Sequence, residues 1–203
     1  MIKRYGINEV DFVVEILNND GVISVPTDTV YGVCARIGSI DAYNKLIEVK
    51  NRPASKLFPI MCANIDQIKD VAVIGPREEM LIKLFMPGPI TLILKKRDGL
   101  PNYINNGCQT VAIRMATSDV LEKIIEKVGP VFMSSANQSG EAVCHNLDEI
   151  EYCCPKLDGM LEGDVLFGIS STIVDCTSDD IKILRDGPIT LEQINNVIKD
   201  VGL

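Results

Sequence analysis

The chain has 203 residues, of which 46% are hydrophobic, and a formal net charge of −8. This length suits one domain of somewhat above-average size, and no apolar run approaches the roughly 18 residues of a membrane-spanning helix. The acidic balance argues against broad electrostatic capture of nucleic acid, which relies on many lysines and arginines, but it leaves a local basic patch open. The first residues also lack the apolar run of a signal peptide, so we expect a cytoplasmic protein.

Short β-branched runs alternate with amphipathic helices, a pattern that predicts an α/β fold with a mixed sheet. Asn8 is predicted to cap a first helix that ends at a left-handed Gly21. A strand at residues 22–25 follows, and then a helix over about residues 39–50 that Pro53 ends.

The same reasoning places the remaining elements in chain order. Further strands are predicted at residues 58–63, 90–96, 110–115, 131–136, 171–175 and 181–185. Further helices are predicted at residues 65–72, 76–85 and 118–129, and at the C-terminal end, where Thr190 and Gln193 form a capping box. Because no internal repeat or linker divides the chain, residues 1–203 are expected to form one domain.

Cysteine and histidine usage gives little support for a metal site. The cysteine count is seven, and an odd number in a chain of this size favours reduced thiols over a disulfide framework. His145 is the only histidine, and Cys153 and Cys154 are adjacent rather than spaced for chelation. His145 also follows Cys144, but sequence neighbours seldom face each other, and no third group is evident to orient such a pair. No metal ligand is predicted.

The sequence lacks the glycine-rich signatures of common nucleotide sites, so any phosphate binding must use other residues. In "KNRPASK", Lys50, Arg52 and Lys56 follow one another at the end of a helix. They could converge on a polyphosphate, with the guanidinium forking onto two oxygens. Equally, cations at a helix C-terminus favour the helix dipole and can simply lie in water.

Small polar residues follow the predicted strand at 131–136 and precede the one at 171–175. Residues 134–140 read "SSANQSG", and residues 170–172 read "SST". Strand ends in α/β sheets face ligand crevices, and such turns can aim several N–H groups at an anion. The same residue types also make ordinary turns.

Arg114 is the most informative single cation. It lies in "VAIRM", a strand otherwise suited to burial, where a charge needs a partner or a ligand. A buried ion pair with one of the 28 acids is the alternative to a ligand.

Several segments in this order resemble the YrdC/Sua5 family over about residues 21–187. They are "PTDTVYGV", "KNRPASK", "PGPITLIL", "VAIRM", "SSANQSG" and "SSTIVD" followed by "ILRDG". The resemblance implies a twisted mixed sheet flanked by helices, with a concave substrate crevice. It also implies an ATP-dependent nucleotidyltransferase that converts L-threonine, bicarbonate and ATP into L-threonylcarbamoyladenylate and pyrophosphate. This reaction is the first step towards N6-threonylcarbamoyladenosine in tRNA.

The resemblance further assigns roles to residues of this chain. These are, for catalysis, Lys50 and Arg52; for ATP, Arg52, Lys56, Thr110, Ser135, Val143 and Arg185; for L-threonine, Thr29, Arg114 and Ser171; and, in support of the pocket, Asn137. Mg²⁺ would be carried with the nucleotide. The expected partners are downstream tRNA threonylcarbamoyl transferase proteins and, with weak binding, RNA, and no membrane is expected.

The chain departs from the family's pattern at Met61, where longer relatives often have a histidine, and at Val143, which replaces a small polar residue. Because the sequence ends at Leu203, we expect the short form of the family, without the extra C-terminal domain of longer relatives. Two alternatives stay open. One is a non-catalytic RNA-binding protein of the same fold. The other is a sugar-phosphate enzyme, which would need an acidic metal-binding cluster.

Overall fold

Strands and helices alternate along the computed structural model, which describes residues 1–53, 55–165 and 170–200. The strands are β1 (Arg4–Tyr5), β2 (Ile23–Val25), β3 (Gly32–Arg36), β4 (Ile60–Cys62), β5 (Ala72–Val73), β6 (Ile90–Lys96), β7 (Thr110–Met115), β8 (Val131–Ser135), β9 (Gly159–Leu161), β10 (Thr172–Asp175) and β11 (Lys182–Arg185). The α-helices are α1 (Val10–Asn18), α2 (Ile40–Lys50), α3 (Ile65–Val71), α4 (Pro76–Phe85), α5 (Asp119–Val128), α6 (Leu147–Cys153) and α7 (Leu191–Asp200). None of these described helices is long and apolar enough to cross a membrane.

The described strands join one mixed sheet. Its order is β1-β9-β2-β3-β8-β4-β7-β6-β10-β11, and β5 pairs with β6 beside this path. The pairs β1·β9, β2·β9, β4·β7 and β6·β10 are parallel, and the other pairs are antiparallel. The prediction of an α/β fold with a mixed sheet is therefore confirmed. Because strands from β1 to β11 share this sheet, we also propose that the chain forms one domain.

Apolar side chains are buried on both faces of the sheet. Within β8, Phe132 belongs to one buried cluster, whereas its neighbours Val131 and Met133 belong to the other. This alternation follows from the two-residue repeat of a strand. Helices α1 and α5 cover only part of the second face, and the uncovered part of the sheet leaves room for a cavity.

Helix α1 differs from the sequence prediction at both ends. Asn8 lies in a 3₁₀ turn ahead of the helix and does not cap it. At the other end, Asp20 and not Gly21 adopts the left-handed conformation, with φ 62°. Glycine is needed at position 21 for a different reason, since a Cβ there would lie 2.7 Å from the Ile16 carbonyl oxygen.

Helix α2 ends at Lys50, as predicted, but Asn51 and not Pro53 terminates it. Asn51 follows it in the left-handed conformation, with φ 44°, two residues ahead of Pro53. The predicted helices that became α3, α4 and α5 are confirmed. The capping box before α7 is also confirmed, because the Thr190 N–H donates to Gln193 Oε1 over 2.8 Å and the Gln193 N–H donates to Thr190 Oγ1 over 3.2 Å.

Substitution of Gly187 by alanine is expected to lower the free energy of unfolding by about 1 to 3 kcal/mol. Gly187 packs so closely on the start of β10 that a Cβ would lie 2.4 Å from the Thr172 nitrogen and 2.8 Å from the Ser170 oxygen. Both are backbone atoms, so the strand itself would have to shift. Urea unfolding measures the loss. Gly38→Ala is the matched control, because a Cβ at Gly38 meets no atom within 4 Å; equal losses in the two variants would contradict this explanation.

Candidate functional site

A cavity of about 380 Å³ lies over the central strands of the sheet. Its floor is formed by alternate residues of two neighbouring strands, Thr91 and Ile93 of β6 and Thr110, Ala112 and Arg114 of β7. This spacing is the two-residue repeat that points every second side chain to one face. The turn between β2 and β3, the segment before β4, the end of β8 and the start of β10 form the walls.

Arg114 is buried in this floor and contacts the turn between β2 and β3. Its Nη2 donates to Asp28 Oδ1, forming an ion pair, and its Nη1 donates to Thr29 Oγ1 over 2.9 Å. Its Nε donates to the Gly88 carbonyl oxygen over 3.4 Å. Burial lowers the pKa of Arg114, and the charge of Asp28 opposes that shift. The arginine thus has the acidic partner that the sequence offered as the alternative to a ligand, and it also lines the cavity.

Arg185 and Ser171 lie together at the wall beside β10. Arg185 Nε donates to the Ser171 carbonyl oxygen over 3.0 Å, and its Nη2 contacts Ser171 Oγ over 3.1 Å. The same hydroxyl is 2.8 Å from Thr91 Oγ1. A residue expected to bind ATP therefore contacts a residue expected to bind L-threonine. Burial lowers the pKa of Arg185.

Arg52 brings a third guanidinium to the cavity wall. It stacks over the Phe58 ring, with Cζ 4.5 Å from the centroid, and its Nε donates to the Lys56 carbonyl oxygen over 2.8 Å. Its Nη1 is 3.5 Å from Ser134 Oγ. Burial lowers its pKa as well. These contacts fix the guanidinium in one orientation, which suits recognition of a phosphate.

Lys50 lies away from the other two cations of its motif. It is 1% exposed, and its Nζ donates to the carbonyl oxygens of Ser135 and Asn137. Burial lowers its pKa to about 8. Its ammonium therefore lies beneath the turn after β8 and does not line the cavity, in contrast to the expected position along the phosphates.

Three other predicted residues also lie outside the cavity lining. Lys56 is exposed and Val143 is half-buried, and their proposed nucleotide contacts stay predictions. Asn137 is buried, and its Nδ2 donates to the carbonyl oxygens of Gln138 and Glu141 over 2.9 and 2.8 Å. It therefore holds the loop after β8 in shape. The remaining predicted residues line the cavity: Thr29, Arg52, Thr110, Arg114, Ser135, Ser171 and Arg185.

Three residues at or behind the cavity were not assigned a role from the sequence. Thr91 lies in "PGPITLIL", whose prolines and glycine predict a rigid turn ahead of a strand and gave no reason to assign Thr91 a role. Asp28 lies in the hydroxyl-rich "PTDT" segment. The acid between two threonines was the feature of the sequence that could have indicated a polar site there. Asn105 lines the cavity in the left-handed conformation, with φ 63°, and its Nδ2 donates to the Thr110 carbonyl oxygen. Its signal was the "NNG" triplet, since asparagine and glycine tolerate positive φ.

Comparison with known proteins identifies a family. Residues 15–187 match the family model Sua5_yciO_yrdC, which is described as "Telomere recombination". The chain is 36% identical over 188 residues to a threonylcarbamoyl-AMP synthase of Pyrococcus abyssi, covering 90% of this chain and 55% of that protein. It is also 36% identical over 194 residues to a threonylcarbamoyl-AMP synthase of Bacillus subtilis, covering 90% of this chain and 54% of that protein.

Comparison with a solved structure shows that the chain shares its fold with a protein of the same family. The crystal structure of Pyrococcus abyssi Sua5 complexed with L-threonine superimposes with a TM-score of 0.89 and 31% sequence identity. The match covers 98% of this chain and 61% of the other. The chain therefore spans about half of the length of the two curated relatives and somewhat more of this one.

Lys50→Met is expected to remove a gain in stability that the protein shows at alkaline pH. The pKa of Lys50 falls from 10.5 to about 8 on folding. Between these values the unfolded chain binds more protons than the folded chain, so the free energy of unfolding rises with pH. The gain from Lys50 is about 2 kcal/mol between about pH 7.5 and about pH 9.5.

Urea unfolding of both proteins at these two pH values measures this gain. Lys45→Met is the matched control, because Lys45 lies on the same helix but pairs with Asp158 at the surface. This control should keep the gain. An identical pH dependence in Lys50→Met and the unaltered protein would show that folding does not lower the pKa of Lys50.

Proposed function

Because this chain belongs to the Sua5/YciO/YrdC family, we propose that it is an L-threonylcarbamoyladenylate synthase, and thus an ATP-dependent nucleotidyltransferase. It would convert L-threonine, bicarbonate and ATP into L-threonylcarbamoyladenylate and pyrophosphate. The observation that carries the proposal is the contact between Arg185 and Ser171 in a cavity that Arg52 and Arg114 also line. Residues expected for the two substrates meet there. The names of the relatives do not favour the alternative of a non-catalytic RNA-binding protein.

The proposed reaction needs anion binding more than a protein nucleophile. The threonine amine, in its neutral form, attacks the bicarbonate carbon, and loss of water leaves a carbamate. A carbamate oxygen then attacks the α-phosphorus of ATP, and the bond to the bridging oxygen breaks to release pyrophosphate. Two anions must be held together while negative charge grows on the leaving group. Orientation and fixed positive charge accelerate such a step.

On the amino-acid side, Arg114 is proposed to bind the carboxylate of L-threonine. Thr29 and Ser171 would bind its polar groups through their hydroxyls. Thr29 already contacts Arg114, and Ser171 contacts Arg185, so both hydroxyls are held in place before the substrate arrives. Such preorganisation lowers the entropy that binding would otherwise lose.

On the nucleotide side, Arg52 and Arg185 are proposed to bind the phosphates, with Thr110 and Ser135 at the same wall. Lys56 follows on the adjacent loop as a further proposed contact. For Lys50 we propose an indirect role, since its ammonium binds the two carbonyl groups that shape the turn at Ser135. It is a positioning residue in this proposal.

Mg²⁺ is proposed to enter with ATP as part of the substrate. Within the part of the chain that the structure describes, no group of three or more His, Cys, Asp or Glu side chains could hold a metal ion. The phosphate oxygens of ATP are themselves suitable Mg²⁺ ligands. The adenylate product would then serve a downstream tRNA threonylcarbamoyl transferase.

Pyrophosphate release by the purified protein tests the proposed function. Release is expected only when ATP, L-threonine and bicarbonate are all present, because the nucleophile towards ATP is the carbamate. Mass spectrometry should detect L-threonylcarbamoyladenylate in the same reaction. Release with L-threonine alone would indicate a different adenylating reaction, and no release under any condition would contradict the proposal.

Arg52→Ala is expected to lower kcat/KM for ATP by at least about 100-fold, because it removes one fixed cation from the site of charge development. Arg97→Ala is the matched control, since Arg97 is exposed and donates to the Lys69 carbonyl oxygen over 2.7 Å. The control should retain normal kinetics. Activity that survives Arg52→Ala would refute the assignment of Arg52 to the phosphates.

A further inference from the structure

Arg114 uses only part of its hydrogen-bonding capacity within the described structure. A guanidinium carries five N–H donors. One on Nε goes to Gly88, one on Nη1 goes to Thr29 and one on Nη2 goes to Asp28. Two donors are left, one on each terminal nitrogen, on a side chain that lines the cavity.

The pairing of Asp28 is equally incomplete. Asp28 is 7% exposed, and its Oδ1 binds Arg114. Its Oδ2 is buried and has no hydrogen-bond partner among the described residues. A buried carboxylate oxygen without a partner costs free energy, and the common two-oxygen pairing with arginine would satisfy it. That pairing would also occupy one more N–H of the guanidinium.

The position of Asp28 is set by its own surroundings. Its backbone N–H donates to Thr117 Oγ1 over 3.3 Å, which ties the turn to the segment after β7. The neighbouring Thr27 Oγ1 accepts from the Thr29 N–H over 3.2 Å and donates to the Val30 carbonyl oxygen over 2.6 Å. The carboxylate is therefore a fixed point from which the guanidinium can be oriented.

We infer, on the basis of the proposed function, that Asp28 is a positioning residue for the amino-acid substrate. It holds Arg114 through one oxygen so that the two free donors, one on each terminal nitrogen, bind the carboxylate of L-threonine. Asp28 itself does not line the cavity and acts through Arg114.

Two explanations of the role of Asp28 predict opposite changes in L-threonine affinity for Asp28→Asn. If Asp28 merely neutralises Arg114, loss of its charge makes the site more positive and L-threonine binds more tightly. If Asp28 positions Arg114, loss of the charged partner frees the guanidinium and L-threonine binds more weakly. The direction of the change therefore decides between them.

The experiment measures L-threonine binding by calorimetry without nucleotide, together with KM for L-threonine and for ATP. For Asp28→Asn we expect the Kd and KM for L-threonine to rise by about tenfold or more, as for loss of a charge-assisted contact. The KM for ATP should change by less than about twofold. Binding of L-threoninamide, which lacks the carboxylate, should be the same in both proteins.

Asp20→Asn is the matched control. Asp20 pairs with Arg36 over 2.7 Å at the edge of a different loop, and asparagine tolerates its left-handed conformation. This control should bind L-threonine normally. Unchanged or tighter binding by Asp28→Asn overturns the inference and leaves the proposed function intact, provided that the unaltered protein binds and uses L-threonine. Failure of the unaltered protein to do either overturns both.

Asp28→Glu keeps the test decisive if the asparagine variant does not fold. It retains the charge but places it one methylene further out, so the guanidinium must move. Weaker L-threonine binding, between that of the unaltered protein and a tenfold loss, is expected. Normal L-threonine affinity in a folded Asp28→Glu protein would refute a positioning role.

Discussion

Burial of the Arg114 guanidinium in a central strand is the constraint on which the cavity depends. A buried cation without a partner is strongly destabilising, so the fold must bring an acid to it. That acid arrives on the turn between β2 and β3, although β8 and β4 lie between β3 and β7 in the sheet. Three strand spacings amount to about 14 Å. The turn and the arginine must therefore extend across this part of the sheet, and they meet at the cavity, which Thr29 and Arg114 both line.

Much of the fold follows from local patterns, whereas the short elements do not. The predicted strands and helices with clear periodicity are present, because each buries an apolar face whose spacing is visible in the chain. Strands β1, β3, β5 and β9 and helix α6 were not predicted. Strand β3 directly follows a hydroxyl-rich turn, β9 has three residues, and α6 is a short polar segment capped by Asn146. Their stability comes from neighbours in the sheet and core, which a local pattern does not contain.

The site shows the same division between local and long-range information. That Arg114 needs a partner could be deduced from its apolar strand, but Asp28 is 86 residues away in sequence, and only the strand order brings the two together. Lys50 was predicted to join Arg52 because the residues are close in sequence. It follows Leu46 by one helical turn, and Leu46 is fully buried, so the phase of α2 turns Lys50 towards the interior. Helical phase was the stronger signal here.

The arginines of the cavity carry a cost that a bound anion would relieve. Burial lowers the pKa of Arg52, Arg114 and Arg185, which means that their charged forms are less stable here than in water. Guanidinium groups keep their protons at neutral pH, so the protein retains this cost as positive potential within the cavity. Carboxylate and phosphate groups supply the opposite charge without reorganising the site. The same burial that weakens the fold is therefore consistent with the anion binding that we propose for these three side chains.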